Sequence, residues 1–243
     1  MPKETSLTTL KDLAVVLVGL GRSSIAAARL LQQQGARPFI SDSNDNAVIQ
    51  TWREEARRFD LPCETGGHSP GVFAKADLVL VSPGVPAAAP CLNASRTAGI
   101  PVLGELEFAC RFCSSRLLAV TGTNGKTTVT TLLAKMVAAS GHTVALAGNN
   151  DTPLSQVLLE NTRPEYIVLE VSSYQLETTD LFHPVVAAVL NLTPDHLSRH
   201  GDMQGYAAAK ARIFMRQGVG DAAVVNRDDP RTADMPLPEG VER

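Results

Sequence analysis

The stretch Leu118-Ala-Val-Thr-Gly-Thr-Asn-Gly-Lys-Thr-Thr-Val129 limits the possible folds more than any other part of the chain. An apolar run enters a Gly-x-x-Gly-Lys-Thr turn, and a segment of helical character follows. A strand that delivers the chain to such a turn and continues as a helix is one unit of a parallel α/β layer. The glycines let the backbone close on an anion, and the helix N-terminus aims its unpaired N–H groups at it. The cradle comprises Gly122, Thr123, Asn124, Gly125, Lys126, Thr127 and Thr128. Lys126 is placed to reach the β/γ-phosphates of a nucleotide, and the Thr127 hydroxyl to ligate Mg²⁺. Val120 stands where the general phosphate-loop pattern has its first glycine, so the turn is a shorter variant.

A second glycine-rich turn lies upstream. Leu13–Gly21 is a short apolar run ending in Gly19-Leu-Gly21, Ser23–Gln34 has helical spacing, and Arg37–Asp42 is a strand ending in an acid. This is the β-α-β layout of a Rossmann unit, with Asp42 placed for a ribose or a base. Ser24 occupies the third fingerprint position, so the turn indicates a phosphate or nucleotide without specifying NAD. Asn46–Phe59 reads as a helix and Cys63–Gly71 as turns. Asp77–Pro86 is a third strand breaking at Ser82-Pro-Gly, on the same carboxyl edge as Gly21 and Asp42. Ala88–Ala98 reads as a helix, Ile100–Leu103 as a strand, and a further helix starts at Gly104. The boundary is set near Gly104, giving a Rossmann-like domain at 1–104 and a second domain at 105–243.

Two domains need enough apolar residues for two cores, and 243 residues at 44% apolar and 19% charged supply them. A net charge of −3 offers no attraction to nucleic acid or an anionic membrane. Without a long apolar run or a signal pattern in residues 1–12, the chain reads as soluble and unexported. Few cysteines suit a reducing cytoplasm. Cys110 and Cys113 form a lone C-x-x-C with no second pair, which reads as two thiols on a helical turn and not as a zinc site.

Beyond the cradle the pattern alternates. Val129–Ser140 is a helix, Thr143–Ala147 a strand, Leu154–Glu160 a helix, and Tyr166–Val171 a strand with Glu170 near its end. An acid at a strand end beside a phosphate loop forms the second half of a nucleotide–Mg²⁺ site. Pro184–Asn191 is a strand followed by Leu192-Thr-Pro-Asp-His196, and Tyr206–Phe214 is a helix. Lys210 lies among small apolar residues, where an unpaired ammonium is costly. Ala222–Asn226 is a last strand, and 227–243 is polar and proline-rich with no closing element expected. His196 alone reads as an ordinary histidine, and His68 and His200 read as loop residues.

Gly122–Thr128, Glu170-Val-Ser-Ser-Tyr-Gln-Leu176, Asn191–His196 and Tyr206-Ala-Ala-Ala-Lys210 occur in this order. Together they resemble the ATP-dependent Mur ligases of peptidoglycan synthesis. Gly19-Leu-Gly21, Ser41-Asp-Ser43 and Ser82-Pro-Gly-Val85 are similar to the D-glutamate-adding branch of that family. The resemblance implies a Rossmann-like N-terminal domain followed by a P-loop-type α/β ATPase domain, the latter incomplete. It also implies a reaction. The carboxylate of UDP-N-acetylmuramoyl-L-alanine attacks the γ-phosphate of ATP, and the amine of D-glutamate displaces phosphate from the acyl phosphate. By resemblance, Lys126, Glu170, His196 and Lys210 are catalytic. Thr127, Glu170, His196 and Lys210 serve Mg²⁺, Lys210 through N-carbamylation. Arg22, Ser23, Asp42, Ser43, Ser82, Asn149 and His196 contact the UDP substrate. The family's Gly-Asn-Ile-Gly-x-Pro loop reads Gly148-Asn-Asn-Asp-Thr-Pro153 here, with Asn150 and Asp151 as departures.

The family has a third domain carrying the D-glutamate site. Residues 1–243 are therefore expected to bind the UDP substrate and not to turn over alone. The competing readings are a Rossmann binding module or oxidoreductase taking NAD(P) at Gly19–Ser24, another amino-acid-adding Mur ligase, and a non-catalytic fragment.

Overall fold

The computed structural model describes residues 9–86, 88–149, 152–160 and 162–243. The chain forms two compact units that divide between Phe108 and Ala109.

The first unit contains β1 (Ala14–Val18), α1 (Arg22–Gln33), β2 (Arg37–Ser41), α2 (Ala47–Arg58), β3 (Cys63–Glu64), α3 (Pro70–Phe73), β4 (Leu78–Val81), α4 (Asn93–Thr97), β5 (Val102–Gly104) and α5 (Glu105–Cys110), the last crossing the division. The strands form one parallel sheet of order β3-β2-β1-β4-β5. The order reverses at β1, which pairs with β2 on one side and β4 on the other, and that is where open α/β sheets open a crevice. β1 and β4 are continuous apolar runs because both faces of a parallel sheet are covered. Val16, Val18, Val79 and Val81 pack with Phe73 and Leu92 in one cluster. Alanines 26–28 on α1 are buried and let the helix lie close to the sheet. α2 starts on Asn46, whose side chain accepts from Ile49 N–H, and ends on Arg57 and Arg58, which suit the negative end of the helix dipole.

The second unit contains β6 (Arg116–Thr121), α6 (Lys126–Ala139), β7 (Val144–Gly148), α7 (Leu154–Leu159), β8 (Tyr166–Glu170), α8 (Ser173–Leu176), β9 (Val186–Val189), α9 (Leu197–His200), α10 (Met203–Ala211), β10 (Ala222–Val225) and α11 (Pro230–Ala233). Its sheet is also parallel, of order β10-β9-β6-β8-β7. β6 is central and ends on the glycine-rich turn, between Glu170 of β8 and Val189 of β9. Ile167, Val168 and Leu169 are wholly buried, each side chain contributing about 1.5–3 kcal/mol. An apolar groove beside α6 is lined by Leu118, Val120, Val129, Leu133, Val186 and Ala188, with Leu132, Met136 and Val224 exposed beside it.

The α/β class and the two parallel sheets match the expectation from sequence. Several boundaries differ for physical reasons. α6 begins at Lys126 and not at Val129, because Gly125 takes a left-handed conformation and caps the helix directly. The expected helix at 88–98 is a short 3-10 turn at Pro90–Leu92 followed by α4, since Pro90 is accommodated only in a first turn. Cys63–Gly71 holds the edge strand β3. The tail is not without elements: α11 forms between the Asp229 cap and Asp234, and Glu242 bridges to Ala222 beside β10. Its signal, an acid before a proline, is that of a helix start. Among the described residues, no helix is long and apolar enough to cross a membrane.

Candidate functional site

The glycine-rich turn leaves β6 at Gly122, whose φ is +149°, and enters α6 at Gly125, whose φ is +82°. A Cβ on Gly122 would meet Leu190 Cβ at 3.1 Å and Asn191 N at 3.3 Å, so this corner admits no side chain without a shift. Val129 N–H donates to Gly125 O in the first turn of α6. The N–H groups of Lys126, Thr127 and Thr128 thus fall in the part of a helix that has no intrahelical partner. The Lys126 ammonium folds back over the loop, donating to Gly122 O at 3.1 Å and Thr123 O at 2.9 Å.

Glu170 ends β8 directly beside this turn. The residue is buried, at 3% exposed. Thr127 Oγ1 donates to Oε2 at 2.7 Å and Asn149 Nδ2 to Oε1 at 3.3 Å. Both donors are neutral, and the carboxylate has no cationic partner among the described residues. The neighbouring strand sets this pose through Gly148, at φ +110°. A Cβ there would lie 2.0 Å from Glu170 O, and the obstacle is backbone. Gly148→Ala is therefore expected to destabilise the chain by about 2–4 kcal/mol, through left-handed strain and overpacking. Urea denaturation of the variant against the native chain checks this. A loss below about 0.5 kcal/mol would show that β7 and β8 separate freely.

The 191–196 loop is fastened to the turn. Asn124 N–H donates to Asn191 Oδ1 at 2.9 Å, Asn191 Nδ2 returns a bond to Asn124 O at 3.1 Å, and Thr193 N–H donates to Thr123 Oγ1 at 3.1 Å. Tyr206 OH lies 3.2 Å from the same Thr123 hydroxyl. His196 ends this loop, its side chain 48% exposed, with Nε2 3.4 Å from Asp195 Oδ2 and its ring 4.9 Å from that of Tyr174.

Lys210, on α10, is 2% exposed. Its Nζ donates to Gly122 O at 2.9 Å and to Thr121 Oγ1 at 3.3 Å, and sits 4.7 Å over the Tyr206 ring. Burial first, and then the Lys126 charge, pull its pKa down to about 7, with Asp195 opposing. Two lysines thus converge on one carbonyl oxygen, a concentration of positive charge suited to an anion.

The structure joins Thr127, Glu170 and Asn149 in one cluster and Lys126 with Lys210 in another. It pairs His196 with Asp195 and Tyr174. Among the described residues, no three His, Cys, Asp or Glu side chains converge as a metal cluster. Glu170 and Thr127 set two hard oxygen donors side by side, the kind of group a divalent cation takes. Asn150 and Asp151 lie outside the described residues.

In the first unit, Asp42 builds the turn itself. It is buried, its Oδ2 accepts from Leu20 N–H at 2.7 Å and its Oδ1 from Asn44 N–H at 2.8 Å. Ser82 Oγ lies 2.6 Å from Ser24 Oγ, and Ser24 also bonds Gly19 O, so β1 and β4 are laced at the switch point. Ser24, noted from sequence only as a missing glycine, has this positive role. Arg22 is exposed with its guanidinium 6.0 Å from the Trp52 ring, Ser23 is half-buried at the start of α1, and Ser43 is exposed. His68 remains in a loop, but its Nδ1 lies 2.7 Å from Ser41 Oγ, which donates to Glu64.

His200 is not a loop residue. It closes α9, with Nε2 3.0 Å from Ser173 Oγ and Nδ1 3.3 Å from Glu177 Oε1. Burial lowers its pKa below that of a free imidazole, against the pull of Glu177; in the neutral ring a carboxylate only accepts, which places the proton on Nδ1 and makes Ser173 the donor to Nε2. The one signal of this neighbourhood in the sequence was Ser172-x-x-Gln175, realised as a capping box on α8.

Two family models match the chain: Mur ligase MurD-like, N-terminal domain, over residues 13–104, and Mur ligase middle domain, over residues 120–238. A UDP-N-acetylmuramoylalanine--D-glutamate ligase of Koribacter versatilis is 43% identical over 215 residues, covering 88% of this chain and 48% of that protein. One from Desulfosudis oleivorans is 45% identical over 215 residues, covering 88% and 47%. The chain thus spans about half the length of these relatives. Among solved structures, the UDP-N-acetylmuramate:L-alanyl-gamma-D-glutamyl-meso-diaminopimelate ligase from Neisseria meningitides aligns with a TM-score of 0.63 at 15% identity, over 95% of this chain and 76% of its own, which shows a shared fold. Two matched models of one family, in chain order over the two parallel sheets described above, establish that this chain belongs to the Mur ligase family.

Proposed function

We propose that this chain carries the sugar-nucleotide and ATP sites of a ligase that joins D-glutamate to UDP-N-acetylmuramoyl-L-alanine through an acyl phosphate. The observation that carries the reading is the Thr127–Glu170 hydroxyl–carboxylate pair, set against a phosphate turn on which Lys126 and Lys210 converge. The relatives' names give the amino acid and the sugar nucleotide.

The chemistry brings two anions together, a carboxylate and a triphosphate, so cations must bridge them. The N–H groups at the start of α6 and the Lys126 ammonium hold the β/γ-phosphates, with Lys126 exchanging its two loop carbonyls for phosphate oxygens. Gly122, Thr123, Asn124, Gly125 and Thr128 shape the cradle. A buried carboxylate without a cationic partner, beside a hydroxyl, is the hard oxygen donor set that Mg²⁺ prefers, and Glu170 and Thr127 would hold it. Bound there, Mg²⁺ neutralises charge on the phosphates. Asn149 steadies Glu170, and His196 would serve the acyl end of the substrate.

Lys210, with a pKa near 7, is largely a free amine at pH 8. Its nitrogen lone pair can add to CO₂, and loss of one proton leaves a carbamate, turning a cation into an oxygen donor. In the first unit, Arg22, Ser23 and the α1 N-terminus receive the diphosphate. Asp42, Ser43 and Ser82 line the uridine end, Asp42 by shaping the turn. The setting is the cell interior, where ATP is available, and this belongs to the same proposal.

Isothermal titration with UDP-N-acetylmuramoyl-L-alanine, UDP, NAD and ATP tests the reading. The expected result is binding of the first two, none of NAD, and ATP binding that requires Mg²⁺. NAD binding without UDP binding would replace this function with that of a dinucleotide module.

A further inference from the structure

α9 is a single helical turn with an unusual entry. Its N-cap, His196, holds φ 52°, ψ 27°, and its C-cap, Gly201, holds φ 83°. One turn does not sustain itself, and a left-handed non-glycine residue persists only where its surroundings fix it. The surroundings here are α8 and the residue after it. Arg199 Nε donates to Glu177 Oε1 at 3.2 Å and Oε2 at 3.1 Å, and Nη2 donates to Oε2 at 2.6 Å. The two side chains are only 14% and 19% exposed. The Arg199 guanidinium lies 4.6 Å from the Tyr174 ring centroid, and Tyr174 in turn packs on His196. A second path runs from Glu177 through His200 to the Tyr206 ring at 5.2 Å, and from Tyr206 OH to Thr123 of the phosphate turn.

Ser173, His200 and Glu177 have the connectivity of a hydrolytic triad. Ser173 is 2% exposed and is the first residue of α8, so its hydroxyl has no approach for a substrate. The cluster braces rather than reacts.

We propose that the Glu177–Arg199 ion pair is a positioning device for His196. It locks α9 against α8 and uses the Tyr174 ring as the plate against which the imidazole is set. A planar guanidinium that both grips a carboxylate and lies against an aromatic ring fixes two elements at once, which a lysine cannot do. The functional consequence rests on the reading of His196 as a group facing the acyl end of the substrate; the positioning itself does not.

The test uses the whole chain with isotope-labelled histidine, the His196 signal being assigned with His196→Gln. An imidazole 4.9 Å from a tyrosine ring has a ring-current-shifted Hε1 resonance. In ligand-free protein, Glu177→Gln and Arg199→Gln are each expected to move that resonance toward its position in a free peptide. The double variant should move it no further than either single change, because a pair acting as a unit is lost once. Arg199→Lys, which keeps the charge and the fold, should recover only part of the shift. With ligands, UDP affinity should stay within about twofold, while UDP-N-acetylmuramoyl-L-alanine binding should weaken about tenfold, in the range for loss of a supporting partner. A His196 resonance unmoved in Arg199→Lys and both single variants would overturn the proposal. So would shifts that add in the double variant. A moved resonance with unchanged substrate affinity upholds the positioning and removes His196 from the substrate site.

Discussion

Glu170→Gln is expected to weaken magnesium-dependent ATP binding by about 100-fold or more, equivalent to about 2.7 kcal/mol, while leaving the chain folded. The substitution removes a charge and almost nothing else. Glutamine has the same shape, its carbonyl can accept from Asn149, and its amide can donate to the Thr127 hydroxyl, so the contacts at 2.7 and 3.3 Å have replacements. What disappears is a buried carboxylate whose polar partners are neutral. Desolvating such a charge is costly, so the variant is expected to match or exceed the native chain in stability by up to about 1 kcal/mol. A site that gains stability on losing a charge, and loses a ligand by the same change, holds that charge for the ligand. Titration of ATP with and without Mg²⁺, with UDP as the control for the first unit, separates the cases. If Glu170→Gln binds ATP–Mg²⁺ within threefold of the native chain, the carboxylate is not a ligand of the bound cation.

The phosphate turn was legible because its geometry is local. Gly122 and Gly125 stand where the backbone turns left-handed, and Lys126 and Thr127 follow within one helical turn. Glu170 was legible one step less directly. An acid at the end of an apolar strand is a visible pattern, but its contact with Thr127 depends on β6 and β8 being neighbours in the sheet. The brace behind His196 was legible only at its edge, where Tyr174 falls inside the Glu170–Leu176 motif and Ser172-x-x-Gln175 marks the start of α8. Glu177 and Arg199 look like ordinary surface residues of short segments, and only packing of α8 on α9 brings them together with Tyr174. Asp42 shows the opposite difficulty. Its spacing marks a strand-end acid, yet its oxygens are occupied by the turn's own N–H groups, which no spacing rule reveals. The tail from 227 gives no sign of an apolar-faced element because α11 is one turn long and leaves no hydrophobic period.

Lys210→Met is expected to raise stability at pH 6 and to lose that advantage steadily above pH 7. A free lysine titrates at 10.5, whereas in the fold Lys210 titrates at about 7. Between these values the unfolded chain binds more protons than the folded one, so native stability rises with pH at up to about 1.4 kcal/mol per unit. Below pH 7 both states are charged and the fold carries the full cost of the buried ammonium. Methionine, of similar length and without charge, escapes it. Gly122 O keeps Lys126 as a donor, while the Thr121 hydroxyl loses its contact and the Tyr206 ring loses the cation over its face, a combined loss of about 1–2 kcal/mol. The net advantage of the variant at pH 6 is therefore expected to be on the order of 2–4 kcal/mol, shrinking through the window from pH 7 to 10.5. Urea denaturation across that range, in buffers stripped of CO₂ so that the amine stays unmodified, measures the difference. An advantage independent of pH would mean that the ammonium is not what burial penalises. On the function proposed above, the same variant should also bind ATP–Mg²⁺ less well in the presence of the acyl substrate, since there the Lys210 amine would be the group converted into an oxygen donor.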